Sequence, residues 1–110
     1  MLDSHCHLNY PEFEGTLDSK LKDAWDLGVR GFLTINTRLN EAKDLQKIAD
    51  TYKNVACTVG VHPHDAKDYE GTPLKESLLD LVRHPKVVGI GETGLDYYYN
   101  HSSKEAQEWS

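Results

Sequence analysis

Val55-Ala56-Cys57-Thr58-Val59-Gly60-Val61 is the stretch on which the fold turns. It runs nearly continuously apolar, and Gly60-Val61-His62-Pro63-His64 then carries it into a turn at the proline. A strand of this kind is covered on both faces, as in a parallel sheet between helices; an antiparallel strand with one wet face would alternate. Working outward, Gly31-Phe32-Leu33-Thr34-Ile35 and Lys86-Val87-Val88-Gly89-Ile90-Gly91 repeat the pattern, and Met1 to His7 reads as a short buried strand. The intervening segments change period. Phe13, Leu17, Leu21, Ala24 and Trp25 recur at helical spacing before a stop at Gly28. Leu39, Ala42, Leu45, Ile48, Ala49 and Tyr52 mark a second helix face. A third helix opens at Thr72-Pro73, carries Leu74, Leu78, Leu81 and Val82, and closes at His84-Pro85.

Strand and helix therefore alternate four times, which predicts an α/β fold with a parallel sheet. Ser102-Ser103-Lys104-Glu105 fits a capping box with Ser102 as the cap and Glu105 three residues on, announcing a fourth helix. The sequence stops about two turns into that helix, at Ser110. The expectation is that residues 1–110 are the N-terminal half of a single barrel domain. They would supply about the first four βα units of a (β/α)8 TIM barrel, a fold that typically needs roughly 250 residues. No internal repeat or low-complexity segment is present.

Composition narrows the function. The 110 residues carry 12 Lys and Arg against 18 Asp and Glu, a net charge of -6. Such a chain repels a phosphate backbone, so non-specific electrostatic binding of nucleic acid is not expected. A nuclease stays open, because bound divalent cations reverse the charge locally. Cys6 and Cys57 form no zinc-type pair and are too few for a disulfide scaffold. They read as free thiols in a reducing compartment. With no signal peptide and no membrane-length apolar run, a cytoplasmic soluble protein is expected.

Three segments carry chemistry, each at the C-terminal end of a predicted strand. His5 and His7 are two apart, so strand alternation aims both at one face and Cys6 at the other. At a barrel mouth, two neutral imidazoles can bind one divalent cation; elsewhere the pair is two solvated or hydrogen-bonded rings. Glu92 follows the fourth strand between Gly91 and Gly94. Alternation gives it the face of Val88 and Ile90, which would be the inside. Parallel strands gather their C-terminal ends at one mouth, so Glu92 meets the histidine pair there and can hold one cation or bridge two. His62 and His64 reach the same rim, but Pro63 breaks the strand geometry between them. Contact with substrate is favoured for both over metal ligation, the alternative being ordinary loop histidines. Tyr97, Tyr98 and Tyr99 would either stack on a base or sugar, or pack the rim. His84 and His101 look structural or solvated, and Trp25 and Trp109 read as packing.

These motifs bear a resemblance. Asp3-Ser4-His5-Cys6-His7-Leu8, Gly60-Val61-His62-Pro63-His64 and Gly89-Ile90-Gly91-Glu92-Thr93-Gly94-Leu95-Asp96-Tyr97-Tyr98 resemble the three N-terminal signatures of the TatD-related deoxyribonucleases, in order and spacing. The run Glu105-Ala106-Gln107 resembles that family's next helix. His-x-His alone would point only to the broad metal-dependent hydrolase superfamily; the glutamate signature is the specific part. The resemblance implies a (β/α)8 barrel with one or two divalent metals (zinc, magnesium or manganese) at its mouth. It also implies hydrolysis of phosphodiester bonds in DNA, often from the 3′ end. It places metal ligation on His5, His7 and Glu92. The family completes its site with two histidines and an aspartate on later strands, which have no counterpart within residues 1–110.

The expected mechanism is metal-assisted hydrolysis of DNA or another phosphodiester, with water as nucleophile and Glu92 in the catalytic role. Two rivals stand beside it. One is an amidohydrolase-type enzyme with the same metal and a different substrate. The other is an inactive half-barrel, whose exposed strand edges favour dimerisation or aggregation.

Overall fold

The computed structural model describes all residues, Met1–Ser110. Four strands, β1 (Leu2–Cys6), β2 (Gly31–Thr34), β3 (Val55–Val59) and β4 (Val87–Ile90), alternate with helices α1 (Leu17–Asp26), α2 (Ala42–Thr51), α3 (Leu74–Leu81) and α4 (Lys104–Trp109). All neighbouring strands are parallel and lie in chain order, β1-β2-β3-β4. This is the α/β arrangement expected, a consecutive portion of a (β/α)8 barrel with β1 and β4 at its edges. No helix is long and apolar enough to cross a membrane.

The core lies between the sheet and the helices on its outer side. Leu45 and Ala49 of α2 are fully buried against Val55, Cys57, Phe32, Leu21 and Leu8. These are the apolar positions that the helical and strand periods pick out. Fully burying a leucine such as Leu45 contributes about 1.5–3 kcal/mol. Both thiols face this layer and are unpaired. Burial, with the Asp3 charge adding, pushes the Cys6 thiol up to about 12. Burial also lifts Cys57 to about 11, Asp50 reinforcing and Lys86 opposing.

Several sequence expectations are corrected. The first strand is not buried: Leu2 is 72% exposed, because β1 is an edge strand with a partner on one side only. The first helix begins at Leu17, not Phe13, which sits in a separate 3-10 turn at Pro11–Phe13. Between them Gly15 takes φ +70°, a left-handed conformation that stops one element before the next begins. A long 3-10 segment, Pro63–Tyr69, precedes α3. The cap of α4 is Ser103, whose hydroxyl accepts from the Ala106 N–H at 3.1 Å, and not Ser102. Ser102 is buried instead and ties α4 to the Pro63–Tyr69 segment, donating to the His64 carbonyl and accepting from the Lys67 N–H. Trp25 and Trp109 are about half exposed, at 46% and 47%, and Trp25 stacks under the Arg30 guanidinium.

Val88 and Ile90 do not share a face. Val88 lines the inner surface with Leu33 and Ala56, whereas Ile90 lies in a groove with Leu74, Leu78 and Trp109. The register between β3 and β4 shifts at Cys57–Thr58, and simple alternation fails there.

Candidate metal centre

The C-terminal ends of β1, β3 and β4 meet in an open basin lined by His5, His7, His62, His64 and Glu92. Alternation did not deliver Glu92; a buried polar strap does. The Glu92 N–H donates to the Asn36 carbonyl at 2.6 Å, and the Gly91 N–H donates to the Val59 carbonyl at 2.9 Å. The Thr58 hydroxyl donates to the Gly91 carbonyl at 2.6 Å. Asn36 is fully buried at the end of β2, and its side chain takes the Gly60 N–H at 3.1 Å while donating to the Arg38 carbonyl at 2.7 Å. Gly60 completes the fit, because a Cβ there would lie 2.6 Å from the Gly91 carbonyl carbon.

One potential ligand atom from each of His5, His7 and Glu92 falls in a single cluster, all within 4.8 Å of one another. The rings of His5 and His7 stand edge to face at 5.2 Å. The His7 Nδ1 lies 3.0 Å from the Ile35 carbonyl, which only accepts, so Nδ1 carries the proton and Nε2 keeps its lone pair. That second hydrogen bond fixes the tautomer in the manner usual for metal-ligating histidines. Tyr10 stacks on the same ring at 4.9 Å and holds its plane. The Glu92 oxygens face His5 Nε2 at 3.5 Å and His62 Nε2 at 3.4 Å. Two imidazole nitrogens and one carboxylate make a donor set that suits a divalent cation and leaves coordination positions open.

His62 and His64 have different surroundings. The His62 Nδ1 accepts from the His64 backbone N–H at 3.1 Å, so the neutral ring carries its proton on Nε2, toward Glu92. His62 thus presents a donor and not a lone pair. The His64 Nε2 donates to Asp96 at 2.7 Å. That bond holds the Asp96 carboxyl below its usual range; partial desolvation opposes it, and the N–H groups of Tyr98 and Tyr99 add to it.

Sequence reasoning missed several residues of the basin. His101, expected to be structural or solvated, lines it and packs on His64 at 4.5 Å. Arg38 lines it too, paired with Asp65 at 3.3 Å and Asp68 at 2.6 Å. Gln107, nearly buried, grips the loop after Glu92. Its side chain accepts from the Asp96 N–H at 2.7 Å and donates to the carbonyls of Asp96 and Ser102 at 3.0 Å each. The available signals were weak: a polar Asn36 directly after an apolar strand, and the family-like Glu105-Ala106-Gln107 run. His84 lies away from the basin, its Nε2 3.1 Å from Asp50.

Known proteins resemble this chain in sequence and in fold. The family model described as "TatD related DNase" matches residues 2–110. The chain is 38% identical over 108 residues to proteins named 3′-5′ ssDNA/RNA exonuclease TatD from Escherichia coli (strain K12) and Shigella flexneri, covering 98% of this chain and 41% of each relative. A relative from Buchnera aphidicola, 35% identical and matched over 98% of this chain and 41% of its own length, is named an uncharacterized metal-dependent hydrolase. Among solved structures, a hydrolase of the TatD family from Entamoeba histolytica superposes with a TM-score of 0.86 at 28% identity, over 99% of this chain and 42% of that one. YjjV, a TatD homologue from Escherichia coli, gives 0.83 at 26% identity, over 99% and 42% of the two chains. The chain thus spans about two fifths of the length of the relatives it matches.

Proposed function

Because this chain belongs to the TatD-related DNase family, we propose that it contributes the first-strand and fourth-strand ligands of a divalent-metal-dependent phosphodiesterase that acts on DNA. The observation that carries this is the clustering of ligand atoms from His5, His7 and Glu92 within 4.8 Å. In this proposal residues 1–110 are the N-terminal half of a single barrel domain, and zinc, magnesium or manganese occupies the site as one or two ions.

A divalent cation so held supplies Lewis acidity and an acidified water near neutral pH. The chain's own residues do the rest. His7, its Nδ1 fixed by Ile35, offers Nε2; His5 offers a second nitrogen; Glu92 offers a carboxylate and is the catalytic acid-side-chain ligand of the set. Asn36 and Thr58 hold the Gly91–Glu92 backbone so that the carboxylate arrives at the histidines. His62 Nε2–H is a hydrogen-bond donor suited to a phosphoryl oxygen, and His64, oriented by Asp96, borders the same space. Both are assigned to substrate contact. Cys6 faces the helix layer as an un-ionised thiol and takes no part as a nucleophile. The two unpaired thiols support a reducing, cytoplasmic setting.

The test is twofold. Calorimetric titration with Mn²⁺ and Zn²⁺ should show binding that His7→Ala and Glu92→Gln each weaken. Degradation of 3′-labelled single-stranded DNA should require metal and be lost in the same variants, with a parallel amide panel inert. Cleavage unchanged in a folded His5→Ala/His7→Ala variant would falsify the assignment, and amide turnover without DNA cleavage would move it to the amidohydrolase class.

A further inference from the structure

The loop from Asp96 to His101 is rigidly built, yet it projects two tyrosine rings into water. The Asp96 carboxylate accepts from the N–H groups of Tyr98 and Tyr99 at 3.0 and 3.4 Å. Gln107 clamps Asp96 by both its N–H and its carbonyl. Asn100 turns the chain at φ +53°. Within this loop Tyr97 is engaged, its hydroxyl donating to Glu108 and its ring lying under the Lys104 ammonium at 4.8 Å. Tyr98 and Tyr99 are not; they are 84% and 62% exposed. Their rings meet edge to face at 4.8 Å. Tyr99 lies nearly parallel to His101 at 5.8 Å, and His101 contacts His64 at 4.5 Å. His64 in turn touches His62 at 4.4 Å, and His62 faces Glu92. A continuous track of aromatic rings therefore leads from Glu92 out to Tyr98. The Lys67 ammonium, free of any ion pair, lies along the same basin.

We propose that Tyr98 and Tyr99, with His101 backing Tyr99, form a stacking platform for the unpaired nucleobase next to the phosphodiester held at the His5–His7–Glu92 cluster. The proposal rests on the phosphodiesterase function above and adds the base subsite to it. A polar basin with a free cation suits a phosphate, and a pre-ordered aromatic face beside it suits the flat base attached to that phosphate. The 5.8 Å between the Tyr99 and His101 rings is too narrow to admit a base between them at about 3.5 Å to either side. The base therefore lies on the outward face of one tyrosine and against the edge of the other, since the two rings stand at 85°. In a duplex both faces of an internal base are covered by stacking on the neighbouring base pairs, so the platform selects an unpaired, unstacked base.

The experiment uses a single-stranded oligodeoxyadenylate carrying 2-aminopurine near its 3′ end, with Mn²⁺ present and the 3′-terminal linkages replaced by exonuclease-resistant phosphorothioates, so that it is bound at the cluster and not cut. Stacking quenches the probe fluorescence. Tyr98→Ala/Tyr99→Ala should weaken binding by about 5- to 150-fold and abolish the quench, while Tyr98→Phe/Tyr99→Phe keeps both. An oligomer abasic at that position should lose binding to wild type by a similar factor and bind the double alanine variant no worse. Both tyrosines are exposed, so these variants fold. Equal affinity of base-bearing and abasic oligomers, or an unchanged quench in the alanine variant, overturns the platform. Metal-dependent cleavage measured on the same proteins separates the two ideas. Cleavage with no base dependence overturns the platform alone; a tyrosine-dependent quench with no cleavage keeps it and overturns the phosphodiesterase.

Discussion

Gly60→Ala is the most informative single change, because it alters no ligand side chain and yet aims at the site. A Cβ at Gly60 would meet backbone on every near side: 2.6 Å to the Gly91 carbonyl carbon, 2.8 Å to its oxygen and 2.9 Å to the Glu92 oxygen. Carbon atoms rest at about 3.5 Å or more, so the Gly91–Glu92 segment has to retreat by about 0.9 Å. No flexible side chain is there to yield instead. The retreat strains the bonds from Asn36, Val59 and Thr58 that hold this segment. Overpacking of this kind costs about 1–3 kcal/mol, a fall of about 5–15 °C in Tm for a domain of this size. It also withdraws Glu92 from His5 and His7, and loss of such support weakens metal binding by about 10- to 100-fold. Gly91→Ala is the control, since a Cβ there meets nothing within 4 Å. It should stay within about 0.5 kcal/mol of wild type. Differential scanning calorimetry and Mn²⁺ titration of the two variants decide the matter. If Gly60→Ala melts with wild-type Tm and binds metal with wild-type affinity, the strap does not position Glu92.

Other outcomes are expected from the same geometry. Ser103→Ala should cost about 1 kcal/mol in urea unfolding as a lost helix cap. Ser102→Ala should cost as much or more, about 1–3 kcal/mol, because the buried Ser102 hydroxyl serves both the Lys67 N–H and the His64 carbonyl, and both lose their partner; a neutral Ser102→Ala would contradict its buried role. Asp96→Asn should destabilise the protein at neutral pH. The folded Asp96 carboxyl titrates below its ordinary 3.8, so its contribution is present above that value and is lost as pH falls through the folded pKa. The gap between wild type and variant in acid unfolding should therefore be flat above about pH 5 and close below 3.8; a gap that widens in acid would refute it. With its thiol at about 12, only about one part in ten thousand of Cys6 is ionised at pH 8, so iodoacetamide should modify neither cysteine quickly without denaturant. Rapid native alkylation, read by mass spectrometry, would show that the thiols are not covered.

The parallel sheet was legible because Gly31–Ile35 and Val55–Val61 are apolar runs with no wet face, and α2 because Ala42, Leu45 and Ala49 keep strict helical spacing. The histidine pair and Glu92 were legible as residues at strand ends, and they do converge. The route was not, since the register shift beside Thr58 puts Val88 and Ile90 on opposite faces and alternation could not have aimed Glu92. Asn36, Gln107 and Ser102 escaped notice for a related reason. Their work is done by hydrogen bonds to backbone from elements up to 38 residues away, and no local period encodes that. The exposure of β1 was hidden too, because burial depends on what lies beside a strand in space and not on its own composition.

The clustering of His5, His7 and Glu92 is also a measure of shape. Their strands are the first and last of four, and in a flat sheet three steps of about 4.8 Å would hold them roughly 14 Å apart. Their ligand atoms nonetheless lie within 4.8 Å of one another. An ion bound there acts as a chord drawn across an arc: it ties the two ends of the curl and resists flattening. Binding energy is thereby linked to curvature, so substitutions on β2 or β3 that let the sheet relax should be felt as lost metal affinity, though neither strand supplies any of the three ligands.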